Sequence, residues 1–446
     1  MRTLLFFIIS LFAVQAYGQR SFSLINPKKN TFSFENSGNL VILPVKVNGI
    51  DLSFLLDTGV KETILFASQQ DTVPLENINK VKFSGIGIED GVEGIMAVNN
   101  TIEIGGILQD STHNLFVIDA EELDISSHVG IPINGILGSR FFDDFLVKID
   151  YIKSKISVFD PFSYPQKTTR GFTEIPISIE RSRPYVHIDL NLGDINLPDS
   201  KMLVDMGNSD GLLIFPFLLQ DFQVRDPRIY DFIGRGFNGL IYGFRNRIKG
   251  FEWAGFFIKQ PIVSYPDSNA VHAAKLTKDR IGSIGNQALQ HFQVIFNYAQ
   301  SKMYLKKNKN FGKPFLINLT GMDIKHDGLV WTQQRIPTSL SRTHKGREDA
   351  LGGTTVYNQQ EFTYEFSLKP IYKISNIREG SSAGKSGLQV DDELIAINGR
   401  RVQNLKMKQI MDILQHNEGE ELKVTVQRGE QQLHFTVLLE DPIPYR

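Results

Sequence analysis

The chain has 446 residues, of which 41% are apolar and 22% are charged. Single hydrophobic cores stop growing near roughly 250 to 300 residues, so this length predicts two or three packed domains. The formal net charge of −1 provides no basic field of the kind that recruits nucleic acid or an anionic membrane, so we predict neither partner.

Several site chemistries are excluded by the residues the chain does not contain. There is no cysteine, which removes disulfides, thiolate catalysis and cysteine-based zinc sites. The nine histidines are scattered and form no His-Glu-x-x-His pattern, so no metal site is predicted. There is also no Gly-x-Ser-x-Gly elbow and no Gly-Lys-Ser/Thr phosphate loop. We therefore expect neither a metal nor a cofactor.

The first 18 residues have the pattern of a secretory signal. Arg2 precedes an apolar run over residues 4–14, which is followed by the small residues Ala16 and Gly18. The apolar run is shorter than the roughly 20 residues needed to cross a bilayer, which favours a cleaved signal over an uncleaved anchor. We therefore expect an exported protein, periplasmic or secreted, without a transmembrane segment once residues 1–18 are removed.

The middle of the chain contains an internal repeat. Residues 135–155 read GILGSRFFDDFLVKIDYIKSK, and residues 282–302 read GSIGNQALQHFQVIFNYAQSK. At this offset of 147 positions the copies share two glycines, a phenylalanine, a valine, a tyrosine and the closing Ser-Lys. A repeat of this length predicts two similar half-domains.

An aspartate precedes each copy at nearly the same distance. Asp57 lies 81 positions before Gly138, and Asp205 lies 80 positions before Gly285. Each aspartate follows one apolar strand and precedes another, which is typical of half-domains built mostly from strands. An Asp-Thr-Gly alone is weak evidence, because it is often only a turn. Its recurrence at matched spacing favours a paired-carboxylate site over a merely structural repeat.

These motifs resemble those of the pepsin and retropepsin family of aspartic peptidases, in the duplicated single-chain form. Residues 55–59 read LLDTG with ILG at 136–138, and residues 203–207 read LVDMG with SIG at 283–285. The resemblance covers about residues 38–310. It implies a mainly β fold with two pseudo-symmetric barrel lobes, at residues 19–165 and 166–310.

The resemblance also implies the site residues. Asp57 and Asp205 would form a catalytic dyad, in which two close carboxyls share one proton and activate a water molecule for attack on a peptide bond. The residues expected to support the dyad are Thr58, Gly59, Gly138, Gly207 and Gly285. The glycines would allow the backbone to approach the carboxyls closely, where a Cβ would clash.

Two residues depart from the family pattern. Met206 stands where the second lobe should carry a hydroxyl, so it cannot cross-link the lobes as Thr58 can, and Ser209 is a candidate replacement. Lys61 follows the first motif, where its charge would favour an ionised carboxyl. The alternative to an active enzyme is therefore a weak or inactive scaffold that binds peptides.

Each lobe should also carry a glycine-rich hairpin over the cleft. Candidate flap residues are Gly85 and Gly87 in the first lobe and Gly236 in the second. Residues 234–239 also match G-x-G-x-x-G, but no strand-then-helix unit surrounds them, so a dinucleotide site is rejected.

The last third of the chain carries a different motif. A polar stretch over residues 333–360 is expected to be a solvated loop. Residues 380–388 read GSSAGKSGL, and residues 392–399 read DELIAING. This pattern resembles a PDZ domain of the bacterial protease-associated type, at residues 311–446, although Asp391 replaces the usual glycine, a change that the left-handed turn tolerance of aspartate permits.

PDZ domains bind an extended peptide or C-terminal tail along a sheet edge. The sequence predicts that the receiving strand contains Tyr372, Lys373, Ile374 and Ser375. Met407 and Met411 lie at helical spacing and would face the groove, although a core position is the favoured alternative. Together the two resemblances predict an exported aspartic endopeptidase whose PDZ domain binds peptide or protein tails.

Overall fold

The structure is a computed structural model and describes residues 21–67, 73–83, 92–119, 126, 130–236, 239–271, 276–337 and 362–445. The predicted signal segment, Gly85, Gly87 and residues 338–360 of the predicted loop lie outside the described residues. No helix in the described ranges is both long enough and apolar enough to span a membrane.

The first lobe is a nine-stranded sheet. The strands of the first half are β1 (Ser23–Leu24), β2 (Thr31–Ser33), β3 (Glu35–Ser37), β4 (Leu40–Val47), β5 (Ile50–Leu56), β6 (Thr63–Ala67), β7 (Ile78–Phe83), β8 (Val92–Ile104), β9 (Leu108–Asp119), β10 (Gly135–Leu137), β11 (Leu146–Asp150) and β12 (Lys155–Phe159). All of them except β2, β11 and β12 belong to this sheet. Its central feature is the parallel pairing of β5 with β10, which aligns Leu56 with Leu137.

The second lobe repeats this arrangement with a ten-stranded sheet. Its strands are β13 (Thr173–Pro176), β14 (Ser178–Glu180), β15 (Arg183–Asn191), β16 (Asn196–Val204), β17 (Leu212–Ile214), β18 (Arg228–Gly236), β19 (Gly239–Arg247), β20 (Gly250–Trp253), β21 (Phe256–Lys259), β22 (Ile262–Pro266), β23 (Arg280–Ile284), β24 (Phe292–Asn297) and β25 (Lys302–Lys307). Strands β14 to β23 form the sheet. The pairing of β16 with β23 is parallel and aligns Val204 with Ile284, as β5 and β10 do in the first lobe.

A six-stranded sheet joins the two lobes, in the order β13-β25-β24-β11-β12-β2. At its centre β11 pairs antiparallel with β24, and Ile149 lies opposite Val294. The two repeat copies supply matching elements: β10, β11 and β12 in one, and β23, β24 and β25 in the other. The short α-helix α1 (Asn286–Leu289) follows β23 where a 3-10 turn, Ser139–Phe142, follows β10. The prediction of a mainly β protein with two pseudo-symmetric lobes is confirmed.

The C-terminal part forms a separate six-stranded sheet. Its elements are β26 (Met322–Pro337), β27 (Phe362–Ile377), α2 (Ser382–Ser386), β28 (Glu393–Ile397), β29 (Arg400–Arg401), α3 (Met407–Gln415), β30 (Glu421–Arg428) and β31 (Gln431–Leu438). The strand order is β26-β27-β28-β30-β31, and β29 pairs with β28. Residues 333–337 were predicted to begin a loop, but they continue β26 because each of them pairs with a residue of β27.

Candidate active site

Asp57 and Asp205 lie side by side where the two lobes meet. Each follows a strand whose parallel neighbour holds its backbone: the Asp57 N–H donates to the carbonyl of Leu137 at 3.0 Å, and the Asp205 N–H donates to that of Ile284 at 2.9 Å. The two carboxyls converge at Gly59, because a Cβ added there would lie 2.9 Å from Asp205 Oδ1 and 3.1 Å from Asp57 Oδ1. Asp57 is 8% exposed, and Asp205 is partly buried. Equivalent elements of the two lobes therefore bring the predicted pair together.

Each carboxylate accepts a hydrogen bond from the backbone N–H of the glycine two residues after it. Gly59 donates to Asp57 at 2.6 Å, and Gly207 donates to Asp205 at 3.1 Å. A Cβ at Gly59 would lie 2.9 Å from a carboxyl oxygen of Asp205, and a Cβ at Gly207 would overlap the Asp57 carboxyl. Any side chain at either position would therefore push the two carboxyls apart.

The other two supporting glycines also lie in close contact with backbone. A Cβ at Gly138 would run into the carbonyl oxygens of Lys61 and Glu62, and a Cβ at Gly285 would run into that of Asp210. These carbonyls belong to the turns that follow the two aspartates. The glycines thus allow the second parallel strand of each lobe to approach its aspartate turn.

Thr58 links the lobes directly beneath the aspartates. Its hydroxyl donates to the carbonyl of Val204 at 2.6 Å and accepts from the N–H of Met206 at 2.9 Å. The Met206 side chain is fully buried, and its carbonyl accepts a hydrogen bond from the Asn286 amide. The Asn286 oxygen in turn accepts from the Tyr151 hydroxyl at 2.9 Å. Asn286 and Tyr151 therefore form the second cross-link between the lobes.

Asn286 was not found from the sequence, whereas Ser209 was named as the possible replacement. Asn286 is the first residue of α1, at the position that Ser139 occupies in the first copy of the repeat. Ser209 instead lines a cavity beside the C-terminal domain. The offset of 147 positions is the sequence signal that could have identified Asn286, because it aligns the Asn286 amide with the shorter Ser139 hydroxyl.

Burial is the main influence on the acidity of the pair. It raises the pKa of Asp57 to about 7, with a further rise from the charge of Asp205, against lowering by the Gly59 N–H and Arg183. Burial also raises the pKa of Asp205, but Arg280, the Gly207 N–H, Arg183 and the hydrogen bond from Asp57 oppose it. Arg183 acts on both carboxyls and Arg280 on Asp205, so the cations favour negative charge on Asp205 more than on Asp57.

Arg183 and Arg280 were not found from the sequence. Arg280 begins β23 and is 7% exposed, and its Nε donates to the carbonyl of Gly282 at 3.0 Å. Arg183 begins β15, and its buried Nε has no hydrogen-bond partner among the described residues. A single arginine carries no local sequence signal, because only the sheet pairing brings these two to the aspartates.

Lys61 does not act on the dyad as predicted. Its Nζ lies 3.4 Å from Glu62, and its charge lowers the pKa of Asp143, which burial and the neighbouring Asp144 raise. The Lys61 side chain is thus exposed and paired with Glu62, and it is not among the groups found to shift the pKa of either aspartate. The expectation that it would favour an ionised dyad is therefore wrong.

Of the predicted flap residues, Gly236 lies on a described hairpin. Gly236 is the last residue of β18, opposite Gly239 of β19, so the G-x-G-x-x-G match joins two antiparallel strands rather than a strand and a helix. In the first lobe β7 pairs with β8, and Gly85 and Gly87 fall between these strands, outside the described residues.

The predicted peptide-receiving strand is not an edge strand. Residues 372–375 belong to β27, which pairs with β26 on one side and meets β28 at Lys373 on the other. Ile374 is fully buried, and the Tyr372 hydroxyl donates to the carbonyl of Leu405. Ser375 has a buried hydroxyl without a partner in the described part of the chain. The strands at the two ends of the sheet are β26 and β31, so the prediction of residues 372–375 as the edge is wrong.

A cavity of about 340 Å³ borders the start of β26 and α3. Its lining includes Asn318, Asp323 of β26, and Lys408 and Met411 of α3. Met407 is 2% exposed and packs in the core, as the favoured alternative predicted, whereas Met411 is partly buried and faces the cavity. Asp391 adopts the expected left-handed turn with φ +67°.

The same cavity is also bordered by both lobes. Residues 36, 38 and 39 of the first lobe and residues 209, 210 and 245 of the second contribute to its lining. Arg245 contacts two carboxylates of its own lobe, Asp210 at 3.1 Å and Asp231 at 2.9 Å. The charge of Asp323, in β26, raises the pKa of Arg245 further. The groove beside β26 is therefore coupled by charge to the turn that follows Asp205.

Comparisons with known proteins identify both parts of the chain. Residues 43–141 match the family model described as aspartyl protease, and residues 373–428 match the one described as PDZ domain. The chain therefore contains a segment that matches an aspartyl protease and a C-terminal segment that matches a PDZ domain, as both resemblances inferred from the sequence predicted.

Two curated relatives match over short segments. The 26S proteasome non-ATPase regulatory subunit 9 of Mus musculus is 34% identical over 88 residues, 19% of this chain and 37% of that protein. Its Homo sapiens counterpart is 43% identical over 60 residues, 13% of this chain and 27% of that protein. The match thus spans about a third of the length of these relatives.

Two solved structures are similar to the chain. The aspartic proteinase from Irpex lacteus is 12% identical with a TM-score of 0.43, over 64% of this chain and 99% of that one. Basic 7S globulin from soybean is 10% identical with a TM-score of 0.36, over 63% of this chain and 95% of that one.

Proposed function

We propose that this protein is an exported aspartic endopeptidase that hydrolyses peptide bonds with Asp57, Asp205 and a water molecule. The observation that carries the proposal is the convergence of the two carboxyls where the lobes meet: oxygens of Asp57 and Asp205 would lie 3.1 Å and 2.9 Å from a Cβ added at Gly59. Two carboxyls at this distance share one proton, so the pair offers an acid and a base together.

The charges around the pair support a division of roles. Asp205, which the arginines keep ionised, takes a proton from the attacking water. Asp57, which holds the shared proton, donates a hydrogen bond to the developing oxyanion of the peptide carbonyl. Because the pKa of Asp57 is raised to about 7, cleavage is expected to fall as the pH rises through that value and Asp57 loses its proton.

The test is cleavage of an unstructured protein between pH 4 and pH 8, with and without a pepstatin-type inhibitor. Asp57→Asn and Asp205→Asn should each reduce the rate by at least about 100-fold, because general acid–base catalysis contributes factors of that order. Asp51→Asn changes an exposed carboxyl of the same lobe and should leave the rate unchanged. Cleavage that persists in both dyad variants would refute the proposal.

The PDZ domain supplies a second binding function in this proposal. An extended peptide or protein tail would add to the free edge of β26, with α3 as the opposite wall. Binding of a labelled C-terminal peptide, measured by fluorescence anisotropy, should weaken at least tenfold in Met411→Glu, which changes the groove wall. Val390→Glu alters an exposed PDZ residue and is the matched control. Equal affinity in the two variants would exclude this groove.

An inactive peptide-binding scaffold is the second candidate, and Met206 is the observation that favours it. If it is correct, the wild type binds peptides with the affinity of Asp57→Asn and cleaves none of them. Export is tested separately, by N-terminal sequencing of the protein from a cell-envelope or secreted fraction. The mature chain is expected to begin just after residue 18.

A further inference from the structure

The two lobes place equivalent residues on either side of the aspartate pair. Leu55 and Leu203 each lie two positions before an aspartate, and sheet pairing sets Ile42 opposite Leu55 and Tyr185 opposite Leu203. Side chains two residues apart on a strand share a face. Leu40 lies two residues before Ile42 on β4, and Arg183 lies two residues before Tyr185 on β15. Leu40 and Arg183 are therefore at equivalent positions in the two lobes.

The repeat offset supplies two more equivalent pairs. Ile133 corresponds to Arg280, and Ile136 corresponds to Ser283, at 147 positions. In the first lobe the four positions are apolar and belong to one buried cluster: Leu40, Ile42, Ile133 and Ile136. In the second lobe the corresponding residues are polar or charged: Arg183, Tyr185, Arg280 and Ser283. The surroundings of the pair are thus apolar on one side and cationic on the other.

The second-lobe side of the aspartate pair, which contains Arg183 and Arg280, carries more positive than negative charge. Both guanidinium groups act electrostatically on Asp205, and Arg183 also acts on Asp57. The pair carries about one negative charge in the singly protonated form, and in the described ranges neither arginine forms an ion pair with another carboxylate. Burying a cation without a partner is unfavourable, so this side attracts a further anion.

Arg183 is the group best placed to receive that anion. Its side chain is partly exposed, yet its Nε is buried and has no hydrogen-bond partner among the described residues. Arg280 is more deeply buried and already donates to the carbonyl of Gly282. Guanidinium groups bind carboxylates through paired, charge-assisted hydrogen bonds. The partly exposed Arg183 side chain therefore fits a carboxylate that enters with the substrate.

From this arrangement we infer that the second-lobe side of the dyad is a subsite for an acidic side chain, with Arg183 as its principal ligand-binding residue and Arg280 supporting the positive charge. The expected substrate has an aspartate or glutamate next to the scissile bond on that side and an apolar residue on the other. The inference rests on the proposed function, because it defines which peptides that same site accepts.

The experiment compares peptides that carry Glu or its neutral isostere Gln at each position flanking an apolar residue. In the wild type, kcat/KM for one Glu peptide should exceed that for its Gln partner at least tenfold, and the ratio should fall above about 0.5 M salt, where charge interactions are screened. In Arg183→Leu the Glu-to-Gln ratio should fall towards one. Because both peptides are measured on the same variant, a general loss of activity cancels from the ratio.

Two further variants make the test specific. Arg183→Glu should reverse the preference, so that a Lys peptide becomes better than a Glu peptide. Arg170→Leu removes an exposed arginine of the peptidase region and should keep the wild-type ratio. Equal rates for Glu and Gln peptides at every position in the wild type, or an unchanged ratio in Arg183→Leu, would overturn the inference.

The same comparison is made by binding, so that it does not depend on turnover. Asp57→Asn keeps both arginines, and its affinity for the Glu and Gln peptides is measured by titration calorimetry. If the wild type cleaves nothing but this variant still binds the Glu peptide at least tenfold more tightly, the proposed endopeptidase function fails and the subsite stands. Equal affinities would overturn the subsite even if cleavage is observed.

Discussion

The Thr58 hydroxyl accepts a hydrogen bond from the backbone N–H of Met206 at 2.9 Å, so a residue of the first lobe holds the second lobe at its aspartate turn. The same hydroxyl donates to the carbonyl of Val204 at 2.6 Å. One buried side chain thus satisfies two backbone groups of the opposite lobe. The position of Asp205, between Val204 and Met206, depends directly on this contact.

Thr58→Val should therefore disturb both stability and cleavage. The substitution keeps the shape of the side chain but leaves a buried N–H and a buried carbonyl without their partner, which costs about 1 to 3 kcal/mol for each group left unsatisfied. Denaturant unfolding measures the loss of stability, and kcat on an unstructured protein should fall at least tenfold. Thr58→Ser retains the hydroxyl and is the control. Wild-type behaviour of Thr58→Val would show that the link is not needed.

Met206→Thr should increase the cleavage rate by no more than a few-fold. The backbone N–H and carbonyl of Met206 are already bonded to Thr58 and Asn286, so little remains for an added hydroxyl to satisfy. The substitution also replaces a fully buried apolar side chain with a smaller polar one, so stability should drop by about 1 to 3 kcal/mol. A gain of tenfold or more in kcat would instead mean that the missing hydroxyl limits the dyad.

Asp57 should make the protein less stable as the pH rises from about 4 to about 7. Its pKa is raised from an ordinary value of 3.8 to about 7 in the folded state, so over this range the folded protein binds more protons than the unfolded chain. Its contribution to stability is therefore present at low pH and lost as the pH passes the folded value. One proton changes stability by at most about 1.4 kcal/mol per pH unit.

Thermal unfolding across that pH range checks this prediction. In Asp57→Asn the decline should be smaller, and the variant should be more stable than the wild type above pH 7, because a neutral amide replaces a buried negative charge. Asp51→Asn changes an exposed carboxylate and should reproduce the wild-type profile. Parallel curves for wild type and Asp57→Asn would contradict the raised pKa.

Arg245→Met should destabilise the protein strongly. The Arg245 side chain is only 15% exposed and forms ion pairs with Asp210 and Asp231, so its removal leaves two carboxylates in a poorly hydrated site. Breaking a buried ion pair in this way costs about 3 to 5 kcal/mol. Lys46→Met breaks the exposed pair with Asp51 and should cost less than about 1 kcal/mol. Similar midpoints in urea for the two variants would show that the Arg245 network is not structurally important.

Removing the same arginine should also loosen the PDZ domain from the peptidase region. Arg378 of the PDZ part lies 3.7 Å from Asp231, which is the same carboxylate that Arg245 contacts. A second contact between the two regions joins Arg247 of the second lobe to Asp441 at 3.1 Å. Limited proteolysis of Arg245→Met should therefore cut between the two regions sooner than in Lys46→Met. A band pattern identical to the control would indicate that the remaining contacts suffice.

The sequence by itself determined the two aspartate turns, their glycines and the PDZ motif. These are local patterns, since a carboxyl or a glycine at a tight turn is recognisable from its immediate neighbours and from equal spacing in the two copies. The duplication also predicted that Asp57 and Asp205 would meet, because equivalent elements of two similar lobes occupy equivalent places around a pseudo-twofold axis.

The tertiary structure alone decided which other residues reach the dyad and which strand is left free. Asn286, Arg183 and Arg280 are brought to the aspartates by sheet pairing between distant segments, whereas Lys61 pairs with Glu62. The PDZ sheet ends at β26 and β31 and not at β27, because β27 has neighbours on both sides. Strand order and side-chain direction depend on contacts between residues that are far apart in the chain, so they cannot be predicted from the local sequence.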